Sequence, residues 1–304
     1  MIRRLGLAAA LLIGAAPLPT LAAPAAAQQD FHWSGRLGRD EQITVKGIIG
    51  DIRAEPTSGD QVTVTAVRRG RNASRVRIET VRRADGVVIC ALYPDDDNRD
   101  GDGWAMRRDR DDDDDDRRRG EPRDACSRGN HNVGRNAAEV EFTVRVPAGV
   151  RVSLATVTGD VYATRLRSPV RAASVSGSVH VSSDGPVQAT SVSGDVDATL
   201  GRTAGQSLRF SSVSGDVTVR VPAGIDADFS ARTLSGSIES DFPLELGSGR
   251  ARRGRDRDDD DDDDDRPRRV RVRVGQEANG RLGRGGPELM VNTVSGDISL
   301  VRVR

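Results

Sequence analysis

The sequence predicts an all-β fold, a β-solenoid or parallel β-helix-like stack of short strands interrupted by disordered Asp/Arg-rich insertions. Three observations predict it. A V-S-G-D-V unit recurs along the chain, its flanks alternate apolar and polar residues at period two, and large side chains are scarce. Aromatic residues make up only 3% of the 304 residues, while Val, Ala, Ser, Thr and Gly abound. A conventional core uses larger side chains, whereas a thin stacked core can be filled with Val and Ala.

The unit reads IIGDI at 48–52, TVTGDV at 156–161, SVSGSV at 174–179, SVSGDV at 191–196 and again at 212–217, TLSGSI at 233–238 and TVSGDI at 293–298. From Gly159 to Gly236 the repeat glycines are 18, 17, 21 and 21 residues apart. Such a step holds two or three short strands with their turns. Ser178-Val-His-Val-Ser-Ser, Asp195-Val-Asp-Ala-Thr-Leu and Asp216-Val-Thr-Val-Arg-Val alternate as strands do, and Arg269-Val-Arg-Val-Arg-Val puts three valines on one face. Asp184-Gly185-Pro186 marks a second corner. Pro147 and Pro222, each in an R-V-P-A-G segment, end strands because proline cannot donate to a ladder.

A sharp turn needs a residue at positive φ, which glycine adopts without steric cost, and Asp or Ser beside it can accept from the turn backbone. The structural-turn residues are therefore Gly50, Asp51, Gly159, Asp160, Gly177, Gly194, Asp195, Gly215, Asp216, Gly236, Gly296 and Asp297. Ser178 and Ser237 replace Asp in two units, which suits turn capping better than a cation-binding ladder. The glycine-rich calcium nonapeptide is absent, having neither its double glycine nor its nine-residue step here.

The chain divides into a signal peptide at 1–27, an N-terminal β-strand region at 28–94, an Asp/Arg-rich insertion at 95–136, β-solenoid repeats at 137–245, a second such insertion at 246–268 and C-terminal β-repeats at 269–304. Met1-Ile2-Arg3-Arg4 is a positive n-region, Leu5 to Leu18 an apolar h-region and Ala25-Ala26-Ala27 a small-residue cleavage site before Gln28. The apolar run is short for a span of about 20 residues, so no transmembrane anchor is expected after cleavage. Strands around 41–46, 48–54, 61–68, 75–82 and 87–92 are less regularly spaced and form either a cap or an irregular first set of coils. The insertions hold Asp111 to Asp116 and Asp258 to Asp265, framed by arginines, and cannot bury enough apolar surface to order. Asp111, Asp116, Asp258 and Asp265 are the metal candidates, with calcium the only cofactor they suggest; solvated loops are the preferred reading. Cys90 and Cys126, the only cysteines, bracket the first insertion, and an even pair in an exported chain points to a disulfide. Closing that loop stabilises by roughly 3–4 kcal/mol in the chain-entropy model.

The 46 basic and 46 acidic residues balance, and removing Arg3 and Arg4 with the signal leaves 44 against 46. Nucleic-acid binding needs a basic excess on one face, so nucleic acid is not an expected partner. The three histidines, His32, His131 and His180, lie in no metal or triad spacing, and no nucleophile elbow, HExxH, P-loop or dinucleotide fingerprint occurs. No catalytic residue is singled out and no enzyme is expected, although β-helices do host carbohydrate-active enzymes. Those sites break a repeat with unique residues, whereas here the polar groups are the repeat itself.

The R-V-P-A-G segments followed by a strand and T-V-T-G-D-V, the serial V-S-G-D units, and the closing Gly286-Pro-Glu-Leu-Met-Val-Asn-Thr-Val-Ser-Gly-Asp-Ile-Ser-Leu resemble a bacterial family of unknown function. Its members are exported β-strand-repeat proteins carrying a candidate-adhesin label. The resemblance covers about 40–92 and 138–304, leaving out the acidic insertions. It implies a β-solenoid-like fold and a cell-envelope setting, in the periplasm or at the cell surface, with an envelope protein or glycan as partner. The expected role is non-catalytic adhesin-like binding or scaffolding. The alternatives are a carbohydrate-active β-helix enzyme and a calcium-responsive structural protein. The sequence sets no oligomeric state.

Overall fold

The structure, a computed structural model, describes residues 31–93, 126, 138–201, 206–243, 245–246, 270–273 and 277–303. The signal segment and nearly all of both insertions, including Asp111, Asp116, Asp258 and Asp265, lie outside the described residues. Among the described residues the regular structure is β, apart from a 3₁₀ turn at Ala73–Arg75 and the 3₁₀ position of Cys126.

The N-terminal strands are β1 (Phe31–Gly35), β2 (Gln42–Lys46), β3 (Ile52–Pro56), β4 (Val62–Arg69), β5 (Arg77–Arg83) and β6 (Gly86–Leu92). The central run is β7 (Glu139–Val146), β8 (Arg151–Thr158), β9 (Val161–Leu166), β10 (Val170–Ser176), β11 (Val179–Ser183), β12 (Val187–Ser193), β13 (Val196–Leu200), β14 (Leu208–Ser211) and β15 (Val217–Pro222). The chain closes with β16 (Ala227–Ser235), β17 (Ser237–Ser240), β18 (Glu245–Leu246), β19 (Val270–Arg273), β20 (Glu277–Leu282), β21 (Glu288–Ser295) and β22 (Ile298–Val303).

These strands form two sheets, ordered β1-β4-β7-β3-β9-β11-β13-β15-β22-β17-β19 and β18-β20-β16-β21-β14-β12-β10-β8-β2-β6-β5. The first is called here the forward sheet and the second the return sheet. Each regular coil contributes one strand to each sheet and turns between them at its repeat glycine, so a coil has two strands. Parallel pairing in constant register carries the repeat along the stack: Val170 lies between Val152 and Val187, and Val196 between Val179 and Val217.

The core is the space between the sheets. Inward residues of the return sheet such as Val152, Leu154, Val187, Ala189 and Phe210 face Val161, Val179, Val196, Val217 and Ile298 of the forward sheet, all almost wholly buried. The large, buried Phe210 is flanked by smaller side chains, Ala189 on one neighbouring strand and Val291 on the other. Val and Ala dominate because short inward positions leave no room for a thicker layer.

Two features of the order depart from a simple serial stack. The coil β2–β3 packs directly on β8–β9, while β4 to β7 lie beyond it, so the N-terminal region holds one true coil and a cap. Strand β3 starts at Ile52 because Gly50, at φ 118°, has already turned the chain. At the other end, the last coil in sequence, β21–β22, sits between β14–β15 and β16–β17. The glycines therefore stack in the order Gly50, Gly159, Gly177, Gly194, Gly215, Gly296, Gly236.

Both ends change to antiparallel pairing, β1 on β4 and β5 on β6 at one end, β19 on β17 and β20 on β16 at the other. That change stops the parallel stack from growing onto a further repeat. The Asp226 carboxylate ties the turn before β21, accepting from the Arg284 backbone N–H at 2.8 Å and from its guanidinium at 2.9 and 3.1 Å. The backbone donor first, and the guanidinium with it, hold this carboxyl below its ordinary range. No helix among the described residues is long and apolar enough to cross a membrane.

A Cβ built on Gly194 would come well inside 3 Å of the Gly177 carbonyl, and φ there is 155°. Gly194→Ala is accordingly expected to cost about 3 kcal/mol, lowering the melting midpoint by roughly 5–10 °C. Gly224, whose Cβ position is open, is the control: Gly224→Ala should leave the midpoint nearly unchanged.

Candidate functional site

The repeated corner is built from four positions, each with its own chemistry. The residue three before the glycine points inward. Thr156, Ser174, Ser191, Ser212, Thr233 and Thr293 are all buried. Each donates its hydroxyl to a glycine carbonyl of the adjoining coil, as Ser174 to Gly159 at 2.9 Å, Ser191 to Gly177 at 2.9 Å and Thr293 to Gly215 at 3.1 Å. A buried carbonyl without a partner is costly, and an apolar residue here would orphan it.

The glycine N–H donates to the next coil, Gly177 to Ser193 at 3.1 Å and Gly215 to Ser295 at 3.0 Å. The residue after the glycine completes the set. Asp51 Oδ1 accepts from the Asp160 N–H at 2.9 Å, Asp160 from Ser178 at 2.8 Å, Asp195 from Asp216 at 2.9 Å, Asp216 from Asp297 at 2.8 Å and Asp297 from Ser237 at 2.7 Å. Ser178 fills the same place with its hydroxyl, accepting from Asp195 at 3.4 Å. These side chains bond the neighbouring coil and not their own turn. All twelve turn residues read from the sequence thus lie along one edge, with Gly50, Gly159, Gly177, Gly194, Gly215, Gly236 and Gly296 at positive φ. Among the described residues no group of three His, Cys, Asp or Glu side chains converges as a metal site.

Cys90 and Cys126 form a disulfide with their Cα atoms 5.8 Å apart. Cys90 faces outward from β6 and, with Val88 and Cys126, makes a small buried cluster against Val81 and Leu92 on the exterior of the return sheet. The bridge therefore ties the end of the first insertion to the cap.

The other chemistry lies on the outer face of the forward sheet, three residues after the glycine. Aligned there across successive coils stand Arg53, Tyr162, His180, Asp197 and Thr218. The Arg53 guanidinium sits over the Tyr162 ring at 4.9 Å, and Tyr162 stacks on His180 with centroids 5.0 Å apart and planes 12° from parallel. His180 Nδ1 lies 3.4 Å from Asp197 Oδ2, and Arg220 pairs with Asp197 Oδ1 at 3.0 Å. Arg53 also pairs with Asp51 at 2.8 Å, and the Tyr162 hydroxyl donates to Asp160 at 3.0 Å. Partial burial first, and then the bond to Asp160, raise the Tyr162 phenol above its ordinary value. Ring faces are covered by neighbours, so the row presents ring edges, hydroxyl, guanidinium and carboxylate to solvent. Sequence reasoning noted His180 but not this row. The signal was available: with the glycines aligned, this position alone reads Arg, Tyr, His, Asp, Thr, unlike its flanking core columns.

The fold defines the class: an all-β, two-sheeted stack of parallel coils with antiparallel ends. The family model described as Toastrack DUF4097 matches residues 127–263, a little under half of the chain. It is the same unknown-function family that the serial V-S-G-D units resemble, and the resemblance is thereby established over that stretch. No curated protein matches. Two solved structures are similar. A candidate cell adhesion protein from Clostridium sporogenes has 8% identity and a TM-score of 0.42, covering 90% of this chain and 99% of its own. A candidate adhesin from Bacteroides fragilis has 9% identity and a TM-score of 0.31, covering 89% of this chain and 96% of its own.

Asp195→Ala removes the acceptor for the Asp216 N–H at a solvated edge and is expected to cost about 1 kcal/mol. Asp195→Ser restores an acceptor, as Ser178 does in the next coil, and should recover at least half of that loss in urea unfolding. Equal losses for both variants would show that the carboxylate itself, and not inter-coil bonding, matters at this position.

Proposed function

We propose that the chain is an exported, non-catalytic module of the cell envelope or surface, and that it binds an envelope glycan along the outer face of its forward sheet. The row Arg53–Tyr162–His180–Asp197–Arg220 carries this reading. In a repeat protein the positions that build the scaffold recur, so a solvent-facing row that breaks the repeat with chemistry-bearing residues has a separate job. It holds one of the two tyrosines and one of the three histidines of an aromatic-poor chain.

The row spans five coils, roughly 19 Å at about 4.8 Å per step, the length of a few sugar units. It carries guanidinium and carboxylate groups side by side, and each can bond paired hydroxyls. It lies on the solvent-facing side of the forward sheet, where an extended ligand can run along it across several coils. The signal-like residues 1–27 and the Cys90–Cys126 disulfide support export to an oxidising compartment. The candidate-adhesin label of the resembled family agrees with a binding role.

Titration of the purified chain with envelope polysaccharides and their oligomers tests the reading. Binding to at least one is expected, weakened tenfold or more by Tyr162→Ala with His180→Ala and by Arg220→Ala. A panel without a binder, or binding indifferent to these changes, would refute it. Release of reducing or unsaturated sugars in the same mixtures would establish an enzyme instead.

A further inference from the structure

The side chain of the residue two before each repeat glycine plays no part in the corner bonding, yet it is aliphatic every time. Val157, Val175, Val192, Val213, Leu234 and Val294 are 44–57% exposed, and they are the large hydrophobic residues exposed among the described ones. The register of the flanking serines and threonines stacks them in the order Val157, Val175, Val192, Val213, Val294, Leu234. At about 4.8 Å per step they form one ridge roughly 24 Å long on the rim of the return sheet.

Neither turn geometry nor strand propensity demands this. Threonine matches valine in shape and strand preference and occurs freely at neighbouring positions, but at none of these six. The next outward column on the same strands reads Ala155, Ala173, Thr190, Ser211, Asn292 and Arg232, with no retained apolar character. Scattered exposed valines would need no explanation, but a continuous row of six does.

We infer that this ridge is a self-association surface whose occupant is a second copy of the chain. The pitch argues for it. An extended peptide presents side chains on one face only every 6.8 Å or so, and falls out of step with a ladder of about 4.8 Å within two or three contacts. A second ridge matches step for step.

Charge selects the arrangement. Exposed Asp195, Asp216 and Asp297 border the ridge on the corner side, and exposed Arg171, Arg209 and Arg232 lie across the sheet on the other. A two-fold axis parallel to the stack sets the carboxylate border of one copy toward the arginine side of its mate. A perpendicular axis would oppose carboxylates to carboxylates. The pairing is thus side by side with both stacks running the same way. A single ridge with its borders is smaller than the roughly 800 Å² per partner of a stable interface, so the contact is weak and suited to molecules concentrated at an envelope. It is separate from the glycan row, which lies on the opposite sheet.

Sedimentation velocity of the purified exported chain from about 1 to 500 μM tests this, with a dimer forming at a Kd of roughly 10–100 μM expected. Val175→Thr, Val192→Thr and Val213→Thr together, with the melting midpoint checked, should weaken it at least tenfold. Arg171→Glu with Arg209→Glu, which touches no corner bond, should weaken it as well. A chain monomeric throughout, or a dimer unchanged by both sets, would overturn the proposal.

Discussion

The structure depends on how closely one coil approaches the next at the glycine corner. From Gly159 onward each repeat glycine packs against the carbonyl of the glycine before it in the stack, and Gly50 against that of Val140, at a separation that no side chain could enter. That approach holds the strands on either side at hydrogen-bonding distance in both sheets at once. Without it, the corner would splay and one sheet or the other would lose its ladder. The surrounding unit serves that single contact. The buried Ser or Thr satisfies the glycine carbonyl, the glycine N–H reaches the following coil, and the Asp or Ser side chain satisfies the next backbone N–H. Within the stack the glycine N–H, the glycine carbonyl and the N–H that follows are thereby bonded between coils.

This assignment separates scaffold from surface. Positions that bond across coils, or that fill the thin core, repeat because every coil faces the same geometry. Two columns of solvent-facing side chains are not part of that repeated set. One, on the forward sheet, varies from coil to coil and collects the arginine, tyrosine, histidine and aspartate. The other, on the rim of the return sheet, stays aliphatic although nothing in the turn requires it. A variable row suits one specific partner and a constant row suits a periodic one, which is the physical basis for assigning them different occupants.

Much of the scaffold was legible in the sequence. The family resemblance and an all-β stack followed from Gly159, Gly177, Gly194 and Gly215 with their alternating flanks, and the pairing of Cys90 with Cys126 followed from an even count. The stacking order was not legible. Any V-S-G-D unit presents the same backbone groups to any other, so spacing alone could not reveal that the Gly296 coil sits between those of Gly215 and Gly236. The direction of the Asp side chains was also hidden, because an acceptor for its own turn and one for the next coil need the same residue type. The burial of the Ser or Thr three before the glycine, as at Ser174 and Ser191, emerges only once the chain bends. The Arg53–Tyr162–His180–Asp197 row was spread over 145 residues of sequence and becomes a unit only when coils are superposed.

If bonding between coils at the corner holds the molecule together, corner amides must open only when the stack itself opens. Residue-resolved amide hydrogen exchange measures this directly. The account predicts that the N–H groups of Gly159, Gly177, Gly194 and Gly215 exchange as slowly, within about tenfold, as those of Val161, Val179 and Val196 in the strands, while Gly59 and Gly224 exchange freely. Corner glycines exchanging at the rate of Gly59 and Gly224 would contradict it, and would place the stability of the stack in its sheets alone.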